Sequence, residues 1–356
     1  MLVLGYDVGG TKIEAAVVEL TGGQLASHDN GATPTQPWDA EGSANLETHG
    51  GFHARILSRV RRPTERTKGY DHILTQMAAC GLESVQQAGC GLAGIGAIGV
   101  GLPGAVDPVR QVMLNGNTLA LIGHPVAKDL PLALGIAQHA PPVAMGNDAN
   151  CFALAEHYCG VGLSLAREWR RPPAELSGIG IILGTGCGGG FILQGQLCSG
   201  SRGGAAEVGH TVLYRGGHAC YCGQRGCAEQ YLSGTAIEAH YASRRYSQVT
   251  DVHTSQEIFE QAKNGEPLAV AVVKAYRADL AAFLAGLTNL LNPDYFVLGG
   301  GVSLQDSVYL GLDRMVLQQS FLPLDSLRIE KHHLGDSAGV VGAALLPVYR
   351  QNLPVP

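Results

Sequence analysis

The sequence predicts an α/β protein made of two related lobes around a cleft. Three observations point there. The pattern of apolar run, glycine turn, apolar run occurs at 2–19 as "LVLGYDVGGTKIEAAVVE" and again at 178–197 as "GIGIILGTGCGGGFILQGQL", each reading as strand, tight turn, strand. Segments of helical period follow both copies. At 356 residues the chain is long enough for two domains with a core each. We expect a first lobe over 1–135, joined by a C-terminal helix at about 336–350, and a second lobe over 136–335.

Taken in order, the first hairpin is followed by residues 27–55, rich in His, Gly, Thr and Asn, which we expect to be an exposed insertion. Helical spacing covers 70–88. The uncharged run Ser84 to Val106 is long enough to raise the question of a membrane span, but its seven glycines and Pro103 favour a buried strand and turn at "GIGAIGVGLPG". "NDANCFALAEHY" (147–158) opens on a capping residue and continues as an apolar-periodic helix. Residues 163–176, polar and basic with "RRPP", read as a surface loop. Further helices are expected near 234–245, 254–264 and 267–291, the last ended by Asn292-Pro293. "YFVLGGGVS" reads as strand into glycine turn, and "GDSAGVVGAALLPVY" as a closing helix of small residues.

Composition narrows the function. The net charge is −6 and no basic block exceeds "RVRR" at 59–62, which argues against a nucleic-acid partner. The start "MLVLGYDVGG" lacks the basic region of a signal peptide. Nine cysteines, an odd count without a secretion signal, fit a reducing cytoplasm rather than a disulfide framework.

The motifs carry the chemistry. In "GTGCGGG", Gly184, Gly186 and Gly189 match the dinucleotide pattern G-x-G-x-x-G, and Glu207 stands where its acidic residue would. That fingerprint requires a helix after the glycines, whereas strand-like "FILQGQL" follows. The loop retains the capacity of successive bare N–H groups to cradle an anion. "DVGGTK" adds side chains to the same device. Asp7 can orient hydrated Mg²⁺, Gly9 and Gly10 let backbone approach phosphate, and Thr11 and Lys12 bring a hydroxyl and a cation. Gly299, Gly300 and Gly301 form a third such turn. Asn147 and Asp148 stand at a helix start, where a side chain is either a cap or a general base in a cleft. His210-x9-Cys220-x-Cys222-x4-Cys227 supplies one imidazole and three thiolates, the set of a closed, structural zinc site. The other six cysteines show no ligand spacing and read as small apolar residues.

Together "GYDVGGTKIE", "GLPG", "NDANCFALAE", "ILGTGCGGG", "EVGH…CYCGQRGCAE" and "LGGGVS" resemble the ROK family of bacterial sugar kinases and related repressors. The resemblance runs from residue 2 to about 346, breaks at 27–55 and loosens at 162–177. It implies the actin-like, hexokinase-type pair of α/β lobes and a homodimer. It also implies that Asp7, Gly9, Gly10, Thr11 and Lys12 form a first phosphate loop, Gly184, Thr185 and Gly186 a second, and Gly299–Gly301 the adenosine-side turn. Asp148 matches the catalytic base. Gly104, Asn117, Asn147, Asp148, Glu207, His210 and Glu229 match sugar contacts, and His210, Cys220, Cys222 and Cys227 match zinc ligands. The expected activity is transfer from ATP·Mg²⁺ to the 6-hydroxyl of a hexose or N-acetylhexosamine. "NGNTLALIGHP" (115–125), with the small Ala120, is similar to N-acetylglucosamine kinases of the family, while "GTGCG" and "CYCG" are similar to its fructokinases and mannokinases. The repressors carry a DNA-binding segment before the first loop, and here that loop begins at residue 7. A non-catalytic sugar sensor is the reading of another class, opposed by Asp148 and the two phosphate loops.

Overall fold

The computed structural model describes residues 1–21, 45–47, 53–244 and 253–351. The chain divides into two compact units, the first comprising 1–176, 191–205 and 333–356, the second 177–190 and 206–332. Strands and helices are numbered in chain order.

The first unit is built on a six-stranded sheet. The strands are β1 (Leu2–Val8), β2 (Lys12–Thr21), β3 (Asn45–Glu47), β4 (His53–Pro63), β5 (Ile95–Leu102) and β8 (Val143–Asn147), in the order β3-β4-β2-β1-β5-β8. β2 runs antiparallel to both β1 and β4, and β4 antiparallel to β3, whereas β5 and β8 run parallel to β1. β1 and β5 are apolar along most of their length because helices cover both faces. On one face lies α1 (Tyr70–Gln87), which buries Ile73, Met77, Cys80 and Val85 along one stripe. On the other lies α10 (Ala338–Gln351). A Cβ at Gly5 would stand 2.5 Å from the Val340 carbonyl oxygen, and one at Gly99 would stand 1.7 Å from that of Ala343. Glycine in the strands and small residues in "AGVVGAALL" are what let this helix lie so close. The short hairpin β6 (Gly104–Val106) and β7 (Met113–Gly116), α2 (Val126–Ala133), α3 (Asp148–Cys159) and α4 (Val161–Trp169) complete the unit, with the end of β10 (Cys187–Leu193) paired to β11 (Gln196–Leu197).

In the second unit β9 (Gly178–Leu183) lies between the first residues of β10 (Cys187–Leu193) and β12 (Tyr295–Gly299), and β13 (Arg328–Lys331) follows on the far side of β12. β9, β12 and β13 are parallel. The helices are α5 (Glu229–Leu232), α6 (Gly234–Arg244), α7 (Ser255–Lys263), α8 (Pro267–Leu291) and α9 (Leu312–Leu317). α7 opens on a capping box between Thr254 and Glu257. α8 has Pro267 at its first turn and ends at Asn292 in the left-handed conformation.

Three expectations change. Most of the 27–55 insertion lies outside the described residues, but Asn45–Glu47 and the start of β4 are paired strand, not loop. β4 itself escapes a periodicity reading because its arginines make it look polar; Arg59 and Arg61 are in fact paired with a carboxylate buried on β2. Residues 163–169, expected at the start of a surface loop over 163–176, belong instead to α4, whose apolar Val161, Leu163, Leu165 and Ala166 are buried. Residues 136–176, expected with the second lobe, cluster with the first unit because β8 extends its sheet. The apolar run 84–106 is the end of α1 and the buried β5, and among the described residues no helix is long and apolar enough to cross a membrane.

Candidate active site

In the first unit the candidate residues gather at the carboxyl ends of three adjacent strands. Asp7 pairs in register with Gly101 across β1 and β5, and Leu102 pairs with Asn147 across β5 and β8. Asp7, Gly104 and Asp148 therefore leave the sheet side by side, where open parallel sheets place ligands. Burial holds the Cys151 thiol well above the usual range, and the charges of Asp7 and Asp148 beside it add to the rise.

The first glycine turn is a hairpin closed by the Gly9 N–H donating to the Lys12 carbonyl at 2.8 Å. Thr64, fully buried after β4, clamps it: its hydroxyl donates to the Gly9 carbonyl at 2.7 Å and its N–H to that of Thr11 at 3.0 Å. Asp7 is raised from 3.8 to about 6, first by burial and then by the charge of Glu14, which faces it across the hairpin; Lys12 and Arg61 oppose the shift. Glu14 is fully buried and holds Arg59 at 2.6 Å and Arg61 at 2.5 Å, with Lys12 at 3.9 Å. Gly104 is required by crowding, since a Cβ there would stand 2.0 Å from the Asn115 carbonyl. Asn117 lies exposed just past β7.

Asn147 is a true cap. Its Oδ1 accepts from the N–H groups of Ala149 at 2.8 Å and Asn150 at 3.1 Å. Asp148, the first residue of α3, also accepts from the Ala149 N–H at 2.8 Å, so its carboxylate sits at the positive end of the helix.

The second unit brings together its two glycine turns and all three remaining sugar candidates. Gly184–Gly186 follow β9 and Gly299–Gly301 follow β12, again at the carboxyl ends of adjacent parallel strands. A Cβ on Gly300, whose φ is +81°, would stand 2.5 Å from the Leu183 carbonyl, so the two turns touch. The Gly184 carbonyl accepts from the Gly234 N–H at 2.7 Å, and that of Thr185 from the Thr235 hydroxyl at 2.8 Å, tying the turn to α6. Glu229, at the start of α5, accepts from the Cys187 N–H at 2.9 Å, and a Cβ on Gly186 would meet its Oε2 at 2.6 Å. The Glu207–His210 turn packs on β10, with Gly209 against the Cys187 carbonyl. Surrounding protein raises the Glu207 carboxyl although the residue presents an exposed surface; Glu229 adds to the rise and His210 opposes it.

His210, Cys220, Cys222 and Cys227 converge, their ligand atoms all within 4.8 Å of one another. His210 Nδ1 is 3.7 Å from Cys220 Sγ, and the Cys222 and Cys227 sulfurs are 3.6 Å apart. A tetrahedral zinc with bonds of about 2.3 Å spaces its sulfur ligands by roughly 3.8 Å, so the set fits such an ion. The other imidazole nitrogen, Nε2, lies 3.1 Å from the exposed Tyr221 hydroxyl.

The chain matches the pattern of the ROK family over residues 51–349. It belongs to that family. A relative named N-acetyl-D-glucosamine kinase, from Pectobacterium carotovorum subsp. carotovorum, is 33% identical over 353 residues, which is 96% of this chain and 97% of that one. Among solved structures, the ROK hexokinase of Thermus thermophilus is 30% identical with a TM-score of 0.69, covering 97% of this chain and 98% of that one. A ROK glucokinase of Streptomyces griseus, in complex with glucose and AMPPNP, is 29% identical with a TM-score of 0.71 at the same coverage. The actin-like α/β fold expected of a ROK member is the fold found. Sequence reasoning missed Glu14, Thr64 and Arg66 around the first turn; only the pairing of β4 with β2, itself missed, brings Thr64 and Arg66 there.

Proposed function

We propose that this chain is an ATP-dependent sugar kinase acting on the 6-hydroxyl of N-acetyl-D-glucosamine. The observation that carries the reading is the near full-length similarity to a relative of that name, joined to an intact set of candidate phosphate and sugar residues at the ends of parallel strands. Fructose and mannose are the next candidates, on the strength of "GTGCG" and "CYCG".

In this mechanism the N–H groups of Gly9–Lys12 and Gly184–Gly186 bind the ATP phosphates, and Gly299–Gly301 flank the adenosine. Asp7 would orient hydrated Mg²⁺, whose charge offsets that of the phosphates. Asp148 takes the proton of the attacking hydroxyl. Phosphoryl transfer has a loose transition state, so positioning and charge neutralisation weigh more than the base. Glu207, Glu229, Asn117 and the amide of Asn147 hold ring hydroxyls; polar groups that a wrong sugar covers but leaves unpaired supply the discrimination. A zinc ion held by His210, Cys220, Cys222 and Cys227 would have all four positions filled by protein. Its part is to fix the His210 turn beside Glu207. Soluble, cytoplasmic homodimers are the expected form.

A coupled ADP-release assay over N-acetylglucosamine, fructose, mannose, glucose and N-acetylmannosamine tests the reading. Turnover is expected to be highest with N-acetylglucosamine. Asp148→Asn should lower kcat at least about a hundredfold while sugar binding stays near normal. ADP release independent of every sugar would favour the sensor, and near-normal turnover in the variant would remove Asp148 from its role.

A further inference from the structure

Among the described residues around the first glycine turn, one cation has no carboxylate partner. Lys12 is drawn toward Glu14, and Arg59 and Arg61 are bound to it. Arg66 is different. Its only polar partner among the described residues is a carbonyl, that of Asn117, which accepts from Nη1 at 3.3 Å. The same Nη1 lies 3.1 Å from the place a Cβ on Gly10 would occupy. The guanidinium therefore sits directly on the turn and reaches from it to Asn117.

The local chain is built to hold it there. Thr64 locks the segment to Gly9 and Thr11. Glu65 then takes a left-handed conformation, φ 47° and ψ 46°, which a residue with a side chain adopts only at a cost of about 1 kcal/mol or more. That twist starts the short 3₁₀ turn Arg66–Lys68. The Glu65 carboxylate is taken by Lys68 at 2.7 Å and His72 at 2.8 Å, which keeps it off Arg66. The result is an exposed planar cation, with most of its five N–H donors unspent, beside backbone able to bind phosphate.

Building on the kinase reading, we propose that Arg66 is a catalytic residue that donates to the terminal phosphate of the nucleotide as it passes to the sugar. A transferring phosphoryl group spreads charge over its equatorial oxygens, and a guanidinium fork matches that plane. The contact to Asn117 would make the placement of the cation depend on the sugar-side loop. A second role, as a strut for Asn117 alone, makes different predictions.

The test compares wild type, Arg66→Met and Arg66→Lys, each checked for folding by circular dichroism. Two readouts are needed: kcat and sugar KM with N-acetylglucosamine, and binding of AMPPNP against ADP, each with Mg²⁺. Arg66→Met should lower kcat about a hundredfold or more with sugar KM little changed, and added guanidinium at non-denaturing concentration should restore part of the rate. It should also lose most of the wild-type preference for AMPPNP over ADP, while Arg66→Lys keeps some of both. Equal nucleotide preference in wild type and Arg66→Met, or a rise in sugar KM alone without rescue, would overturn the assignment. A wild type that prefers AMPPNP in an Arg66-dependent way but phosphorylates no sugar would overturn the kinase reading and leave the phosphate contact standing.

Discussion

Asp7 shows how a single carboxyl is held at a cost to stability. β1 and β2 place it directly opposite Glu14, one carboxyl against another in a half-dry site. Its rise from 3.8 to about 6 means that the folded chain keeps a proton the unfolded chain has released. The stabilisation from that proton is complete below about pH 4 and is lost as the pH climbs through 6. Asp7→Asn should therefore be more stable than the wild type above pH 6, by about 3 kcal/mol, with the difference fading toward pH 4. Urea unfolding at pH 4, 5, 6 and 8 measures this; a difference independent of pH would show that the strain lies elsewhere. The same variant should lose kinase activity. Residues of this kind were legible as motif members, since "DVGGTK" announces itself, but their charge state was not. It depends on Glu14 and on arginines some fifty positions away.

At the scale of elements, the stretch 207–229 has little regular secondary structure and is held by scattered backbone hydrogen bonds, such as the Leu213 N–H to the Gly226 carbonyl at 2.8 Å and the Ala228 N–H to that of Thr211 at 2.8 Å. It contains one short 3₁₀ turn at Val208–His210 and two isolated bridges, Val212 to Cys227 and Ala219 to Arg225. A zinc ion would close the long irregular loop. Cys222 is the informative position to change because it is exposed, so a serine there disturbs little packing. Cys222→Ser should lose zinc, lower Tm by several degrees and raise sugar KM about tenfold. Metal analysis, thermal melting and kinetics on one preparation check it, and zinc loss with unchanged KM would separate the metal from the sugar pocket. This ligand set could be read from spacing because thiolate and imidazole chemistry leaves few other uses for such a cluster. β4 could not be read, because a strand whose arginines are neutralised by a partner strand carries no local apolar pattern. Nor could α4, whose "LSLAREW" was masked by the basic "RRPP" after it.

For the molecule as a whole, the first strand and the last helix pack on each other. α10 lies on β1 and β5, and its Gly339 lies against the first glycine turn: a Cβ there would stand 2.4 Å from Asp7 Oδ2. Asp336 and Ser337, just before the helix, bind Arg61 and Arg59. Gly339→Ala must push either the helix or the Asp7 carboxylate aside. It should lower Tm by a few degrees and raise the KM for ATP·Mg²⁺ more than that for sugar. Equal effects on both constants would mean that the helix, not Asp7, had moved.

The sequence alone determined the repeated strand–turn–strand device, the helices from α6 to α8, the His210–Cys220–Cys222–Cys227 cluster and the family. Each of these is written in residues close together, where period, turn chemistry and ligand spacing act locally. Only the tertiary structure decided that Glu14 opposes the ionisation of Asp7, that β4 carries Arg66 to the first glycine turn, and that Gly339 must be bare. Those facts arise from strand register and helix docking. Both depend on the burial of surfaces from distant parts of the chain, which no local pattern records.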